Sequence, residues 1–229
     1  MRMRATPGDK TLMNQKKFDK LYRHYIKYFG AEKEPMIFHN IVDAPGSLHI
    51  DVVHLAPTED RPFQVLATIG ASDYAMRPKP HDLTDRNEYV TFVPADWDLG
   101  DEKYRWVVGL LQEVARYPHE AKTMITYSHT LDFSGPMEEL QSDDFNMCGA
   151  GLLFPQVCED TNVLRCRTGL LETVTILHMM PLTRVEMDAI IARRRHGDLA
   201  KGDFDWSDMF YPEDDAAYGK MPFLCARKR

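Results

Sequence analysis

The chain has 229 residues, 44% of them hydrophobic and 28% charged, and a chain of this length buries roughly 70% of the surface its unfolded form exposes. Apolar residues recur throughout without a long unbroken block, which excludes disordered, collagen-like and membrane-spanning classes and predicts a soluble globular protein. The 28 basic and 35 acidic residues give a formal charge of -7, which disfavours a nucleic-acid or anionic-membrane surface and fits a basic protein partner better.

The first residues, Met1 to Lys10, are charged and lead into Lys16, Lys17 and Asp19 instead of an apolar stretch, so no signal peptide is expected and a cytoplasmic location is predicted. From Phe18 the apolar residues fall on one helical face, and Gly30 supplies a residue suited to a left-handed stop. Segments 49–55 and 63–69 read as an antiparallel strand pair across a loop holding Pro57 and Pro62. Residues 70–87 form a long connection for which binding loop and disorder both stay open. A third strand is predicted over 88–93, then a helix from near Asp101 whose buried stripe is Trp106, Val107, Leu110, Leu111, Val114 and Tyr117 and which Pro118 closes.

Further strands are predicted at 123–130, 147–154, 162–167 and 170–179, with Thr168-Gly169 as the turn joining the last two. A last helix opens on a capping box, Thr183-Arg184-Val185-Glu186, and ends near Gly197. Helices set among runs of consecutive strands predict an α+β fold: a mixed, largely antiparallel sheet flanked by helices, in one domain over 1–229. Residues 198–229 form a C-terminal extension in which acids alternate with aromatics from Asp203 to Tyr211, a pattern that can dock on its own domain or on a partner.

Tests for chemistry are mostly negative. Cys148, Cys158, Cys166 and Cys225 make no C-x-x-C pair and read as free thiols of a reducing compartment. His49 and His54 are an odd number of residues apart, so on one strand their rings point to opposite faces and cannot share an ion. Ser128-His129 with Asp132 lacks a nucleophile elbow. Gly149-Ala150-Gly151 lacks the third glycine and the helix of a dinucleotide fingerprint and reads as close packing or a bulge. The Glu138-Glu139 and Asp143-Asp144 pairs read as solvated charges. A metal-dependent hydrolase using His119, His129 and nearby acids is the alternative from another functional class. No cofactor, catalytic residue or metal ligand is assigned.

The order of local patterns carries more information than any one of them. His49-Ile50-Asp51-Val52-Val53 precedes Thr68-Ile69-Gly70-Ala71-Ser72-Asp73, then Val93-Pro94-Ala95-Asp96-Trp97, then Trp106 with Leu110-Leu111 leading to Ala115-Arg116-Tyr117-Pro118. Tyr127-Ser128-His129-Thr130 and Met180-Pro181-Leu182 complete the series. This succession, over about residues 30–197, resembles the suppressor of fused domain family. The resemblance implies one α+β domain acting as a protein-binding module, not an enzyme, in the compact bacterial form, for which binding roles including toxin-neutralising immunity proteins have been proposed. Ser128 departs from the family, which places a glycine or an acidic residue in that turn; Arg116-Tyr117 matches its helix end. The expected partner-binding residues are Asp73, Trp97, Tyr117, Ser128 and His129, recognising another protein by strand addition or through a groove, with neither nucleic acid nor membrane as partner.

Overall fold

A computed structural model describes residues 15–39, 48–77, 84–133, 147–155, 157–158 and 160–195. The acidic-aromatic segment, Cys225, and the Glu138-Glu139 and Asp143-Asp144 pairs lie outside these residues. The elements in chain order are α1 (Gln15–Phe29), β1 (Met36–Phe38), β2 (Asp51–Leu55), β3 (Phe63–Ile69), a 3-10 turn at Ala71–Asp73 and β4 (Asn87–Pro94). They continue as α2 (Glu102–Glu120), β5 (Thr130–Asp132), β6 (Met147–Leu153), a 3-10 turn at Thr161–Leu164, β7 (Arg165–Arg167), β8 (Thr173–Thr183) and α3 (Arg184–Arg195).

Eight strands form one mixed sheet in the order β1-β2-β3-β4-β8-β6-β5, with β7 also paired to β8. Only β4 and β8 run parallel; the other pairings are antiparallel. Helices cover both faces, so the fold is α+β as expected. The alternation along β8 assigns each helix to a face: Val174 and Ile176 pack with Leu21, Tyr25 and Phe29 of α1, and Met180 and Leu182 pack with Met187 and Ile190 of α3. Leu177 and Met179, between them in sequence, face Trp106, Val107, Leu110, Leu111 and Val114 of α2. Each such side chain, fully buried, contributes about 1.5–3 kcal/mol of transfer free energy.

Local sequence sets the element ends. Gly30 takes φ +71 after α1, and its N–H donates to the Ile26 carbonyl at 2.9 Å. Asp101 caps α2 by accepting from the Lys103 N–H at 3.0 Å. The capping box is formed: the Thr183 N–H donates to Glu186 Oε2 at 2.7 Å, and the Glu186 N–H donates to Thr183 Oγ1 at 3.4 Å.

Gly149 sits at a register shift against β8, and a Cβ there would lie 2.1 Å from the Leu131 carbonyl oxygen, so this glycine lets β5 approach β6.

Five expectations change. Tyr117, expected on the buried stripe of α2, is 36% exposed, because near the end of the helix it meets Phe133 and lies outside the core packed around Trp106 and Val114. Pro118 lies inside α2, which runs on to Glu120. The prolyl nitrogen forgoes one bond, but Ala121 and Thr123 still donate to the Tyr117 and Pro118 carbonyls at 2.9 Å each, and buried Val114, Ala115 and Pro118 hold the turn against the sheet.

Residues 123–129 are not strand. Ser128 adopts φ +69 and the His129 N–H donates to the Thr126 carbonyl at 3.1 Å, which turns the chain before β5 begins. Residues 161–164 form a 3-10 turn because the Asp160 carboxylate accepts from the Asn162 N–H at 2.9 Å. Finally, β8 continues to Thr183 through Pro181. Its parallel neighbour β4 pairs only with residues 175–178, so a backbone donor is not required on that side at Pro181.

Candidate functional site

The most polar buried cluster surrounds the turn that leaves β3. Gly70 has φ +121, and a Cβ there would stand 2.1 Å from the His49 carbonyl oxygen, so only glycine turns this corner. Glu88, on β4 and fully buried, clamps the turn. Its Oε1 accepts from the Gly70 N–H at 3.0 Å, the Ser72 N–H at 2.9 Å and the Ser72 hydroxyl at 2.6 Å, and its Oε2 accepts from the Thr68 hydroxyl at 2.6 Å. Burial pushes the Glu88 carboxyl up from its ordinary value, opposed by these four hydrogen bonds.

Two cations grip the turn from outside. Lys17, 6% exposed, donates to the Ser72 carbonyl and lies 3.1 Å from Glu172 and 3.7 Å from Asp73. Arg86 donates to the Ser72 and Asp73 carbonyls at 2.6 and 2.8 Å and pairs with Glu172 at 3.2 Å. The Asp73 carboxyl is raised by burial despite Lys17. Burial also acts on Glu172, but the Thr168 hydroxyl and Lys17 outweigh it and hold that carboxyl below its usual range.

The C-terminal end of α2 abuts this turn. His119 Nε2 donates to the Ala71 carbonyl at 3.0 Å, and its ring meets Tyr74 edge-on with centroids 6.4 Å apart. Burial lowers the His119 pKa, so the ring is neutral near pH 7 and acts as a fixed donor. Tyr74 is 46% exposed and Tyr117 36% exposed, and they frame the helix end. Tyr117 meets Phe133 edge-on at 6.1 Å, just beyond β5. β5 is an edge strand of the described sheet, and Arg184 holds its last residue, Asp132, through two bonds at 3.0 and 3.2 Å.

The five candidate residues are therefore spread over separate places. Asp73 lies in the turn that His119 contacts, whereas Tyr117, two residues before His119 and so on nearly the opposite side of α2, meets Phe133. Ser128 and His129 lie at the start of β5, fixed by the Ser128 N–H to the Leu152 carbonyl at 2.8 Å and the Leu152 N–H to the His129 carbonyl at 2.9 Å. Ser128 occupies a left-handed conformation that favours glycine. Trp97 lies at the other end of α2. It is 7% exposed, stacked on Tyr104 at 4.9 Å and edge-on to Trp106 at 6.1 Å, with its carbonyl accepting from Gln64 at 2.7 Å. Trp106 is roughly 16 Å along the helix axis from Tyr117. An apolar groove of 820 Å³ opens at that far end, between β1 and α2, lined by Ile37, Phe38, Leu99, Trp106 and Val108.

Burial pushes up all three described thiols, Cys148, Cys158 and Cys166, the last to about 11, the opposite of an activated nucleophile. His119 spends its Nε2 on Ala71. Among the described residues, the three donors close enough to hold a metal ion are His39, His49 and Asp51, not the His119 region. As the strand alternation requires, His54 is turned away from His49, and its Nε2 meets Gln64 Oε1 at 2.6 Å. Residue spacing does not reveal His39, because its placement opposite Asp51 depends on the pairing of β1 with β2. Glu88 carried a signal of its own: a charged residue leading directly into the strand-forming run Tyr89 to Val93.

Fold and rim together define an α+β module with a braced polar turn beside exposed tyrosines and the edge of a sheet. The model of the suppressor of fused protein (SUFU) family matches residues 46–198. The chain belongs to that family. A SUFU homologue from Neisseria gonorrhoeae FA 1090 is similar in structure, with TM-score 0.53 and 10% identity over 84% of this chain and 91% of that one. A chain of a Sufu–Fu complex is similar with TM-score 0.53 and 12% identity over 82% of this chain and 84% of that one. Comparison with curated proteins finds no match. Among the described residues no helix is long and apolar enough to cross a membrane.

Proposed function

We propose that this protein is a non-enzymatic, cytoplasmic binding module that sequesters or neutralises another protein, using the rim at the C-terminal end of α2 and the edge of β5. The observation that carries this reading is the juxtaposition of exposed Tyr117 with Phe133 at the edge strand of the described sheet. The partly exposed ring pair Tyr117 and Phe133 beside the last strand of the sheet supplies amphipathic contact area to a partner segment at low entropic cost. The turn from Gly70 to Tyr74 is braced by Glu88, Lys17 and Arg86, so the surface is formed before the partner arrives, which reduces the ordering cost of binding. Family membership supports a protein-interaction role, and a structurally similar chain was crystallised in a Sufu–Fu complex. The net charge of -7 favours a basic partner. Within this class, a toxin-neutralising protein retains its target tightly and a regulator releases it.

Affinity purification of the tagged protein at low and moderate salt, with intact-mass analysis of the eluate, tests the reading. A stoichiometric protein retained by wild type and lost from Tyr117→Ala is the expected outcome. Elution of the wild type alone under both conditions, or equal retention by the variant, overturns it.

A further inference from the structure

The pairing of β1 with β2 matches Met36 with His54, Ile37 with Val53 and Phe38 with Val52. One step further along the same ladder, His39 stands opposite Asp51, and His49 lies two residues before Asp51 on the same face. The side chains converge: Asp51 Oδ1 is 3.0 Å from His49 Nε2 and 3.2 Å from His39 Nδ1, and all three donor atoms lie within 4.8 Å of one another. Asp51 is buried, whereas His39 is 66% and His49 37% exposed, so the cluster opens to solvent on one side.

The backbone beneath is fixed. Gly70 packs against the His49 carbonyl, Gln112 Nε2 donates to the Ile50 carbonyl at 3.2 Å, and Asp51 pairs with Ile69 on β3.

From this geometry we infer that His39, His49 and Asp51 form a binding site for a divalent transition-metal ion of the zinc type at the β1 edge of the sheet. Zinc binds imidazole nitrogen and carboxylate oxygen at about 2.0–2.2 Å in a tetrahedron, which sets donor atoms about 3.4 Å apart. The two observed separations from Asp51 are within a few tenths of an ångström of that value. Two imidazoles and one carboxylate suit zinc and its first-row neighbours better than magnesium or calcium, which prefer oxygen alone. Three protein ligands leave one position for water or an incoming group on the exposed side. The ion ties β1 to β2 across the residues between Phe38 and Leu48, fastening an edge strand of only three residues. This site is independent of the rim around Tyr117.

The test is titration of the full-length, chelator-treated protein with zinc chloride by calorimetry, and with cobalt chloride by visible absorption. One ion per chain is expected, with cobalt bands of low-coordinate intensity. Affinity falls more than about tenfold in His39→Ala and in His49→Ala and is unchanged in His54→Ala. His39 is exposed enough for its variant to retain the wild-type circular dichroism spectrum. A melting temperature that rises with zinc in wild type but not in His39→Ala is the second readout. Absence of binding, or binding unchanged in both the His39 and His49 variants, overturns the assignment and leaves two histidines hydrogen-bonded to a buried aspartate.

Discussion

His178 sits on β8 in the centre of the sheet, 1% exposed, with its ring edge-on to Phe92 at a centroid distance of 4.6 Å. Burial pushes its pKa from 6.5 down to about 3, so the folded protein holds it neutral. Its folded value lies below its unfolded value, so the stability it permits is fully present above pH 6.5 and drains as pH falls toward 3, because only the unfolded chain takes up the proton. One pKa unit corresponds to about 1.4 kcal/mol, so this residue alone removes about 2 kcal/mol between pH 7 and pH 5. Urea unfolding of wild type and His178→Met at pH 7, 6 and 5 isolates that slope from every other titrating group. Methionine is close in volume and does not titrate, so the gap in unfolding free energy between wild type and variant shifts by about 2 kcal/mol toward the variant across this range. A gap constant within about 0.5 kcal/mol would refute the claim that His178 is buried and neutral.

Four other outcomes are expected from urea or thermal unfolding. Gly70→Ala places a Cβ against the His49 carbonyl at φ +121 and costs more than about 3 kcal/mol; a loss under about 1 kcal/mol contradicts the described turn. Glu88→Ala strips the acceptor from four buried donors and costs at least about 3 kcal/mol, and near-wild-type stability would mean that the clamp is not formed. Ser128→Gly is more stable than Ser128→Ala by about 1 kcal/mol, because both remove the hydroxyl and only glycine takes this backbone without strain; equal stabilities would contradict its φ of +69. Leu170→Ser with Leu171→Ser, at the tip of the β7–β8 hairpin and 83% and 99% exposed, changes stability by less than about 0.5 kcal/mol, and a larger loss would show that the tip is covered.

Much of the fold is legible in periodicity, because the elements concerned bury one regular face. Leu21, Tyr25 and Phe29 on α1 and the stripe of α2 from Trp106 to Val114 appear in the sequence as the structure uses them, whereas Tyr117, which the same periodicity puts on that stripe, is exposed. The capping box at Thr183 is equally local, since both partners lie within four residues. What sequence reading misses depends on residues distant along the chain. The stretch from Thr123 to Thr130 is rich in strand-forming residues, yet the left-handed Ser128 and its bond to Leu152 make it a turn.

Among the candidate residues, Asp73 and Tyr117 follow from the order of motifs, but the side chains that surround Asp73 do not. Lys17, Arg86, Glu88 and Glu172 come from separate elements or loops and meet only in three dimensions. Trp97 carries the same aromatic signal as Tyr117 in sequence. Packing between Tyr104 and Trp106 buries it, and exposure is decided by tertiary neighbours that spacing does not report. The His39–Asp51 approach likewise depends on strand register, which neither residue encodes alone.

The most direct test of the proposed binding surface is hydrogen–deuterium exchange of the purified complex against the free protein. Slowed exchange is predicted in residues 130–133 of the β5 edge and in the Gly70–Tyr74 turn, with no change along the outer face of α1. Protection confined to α1, or to the groove between β1 and the start of α2, would contradict the proposed surface.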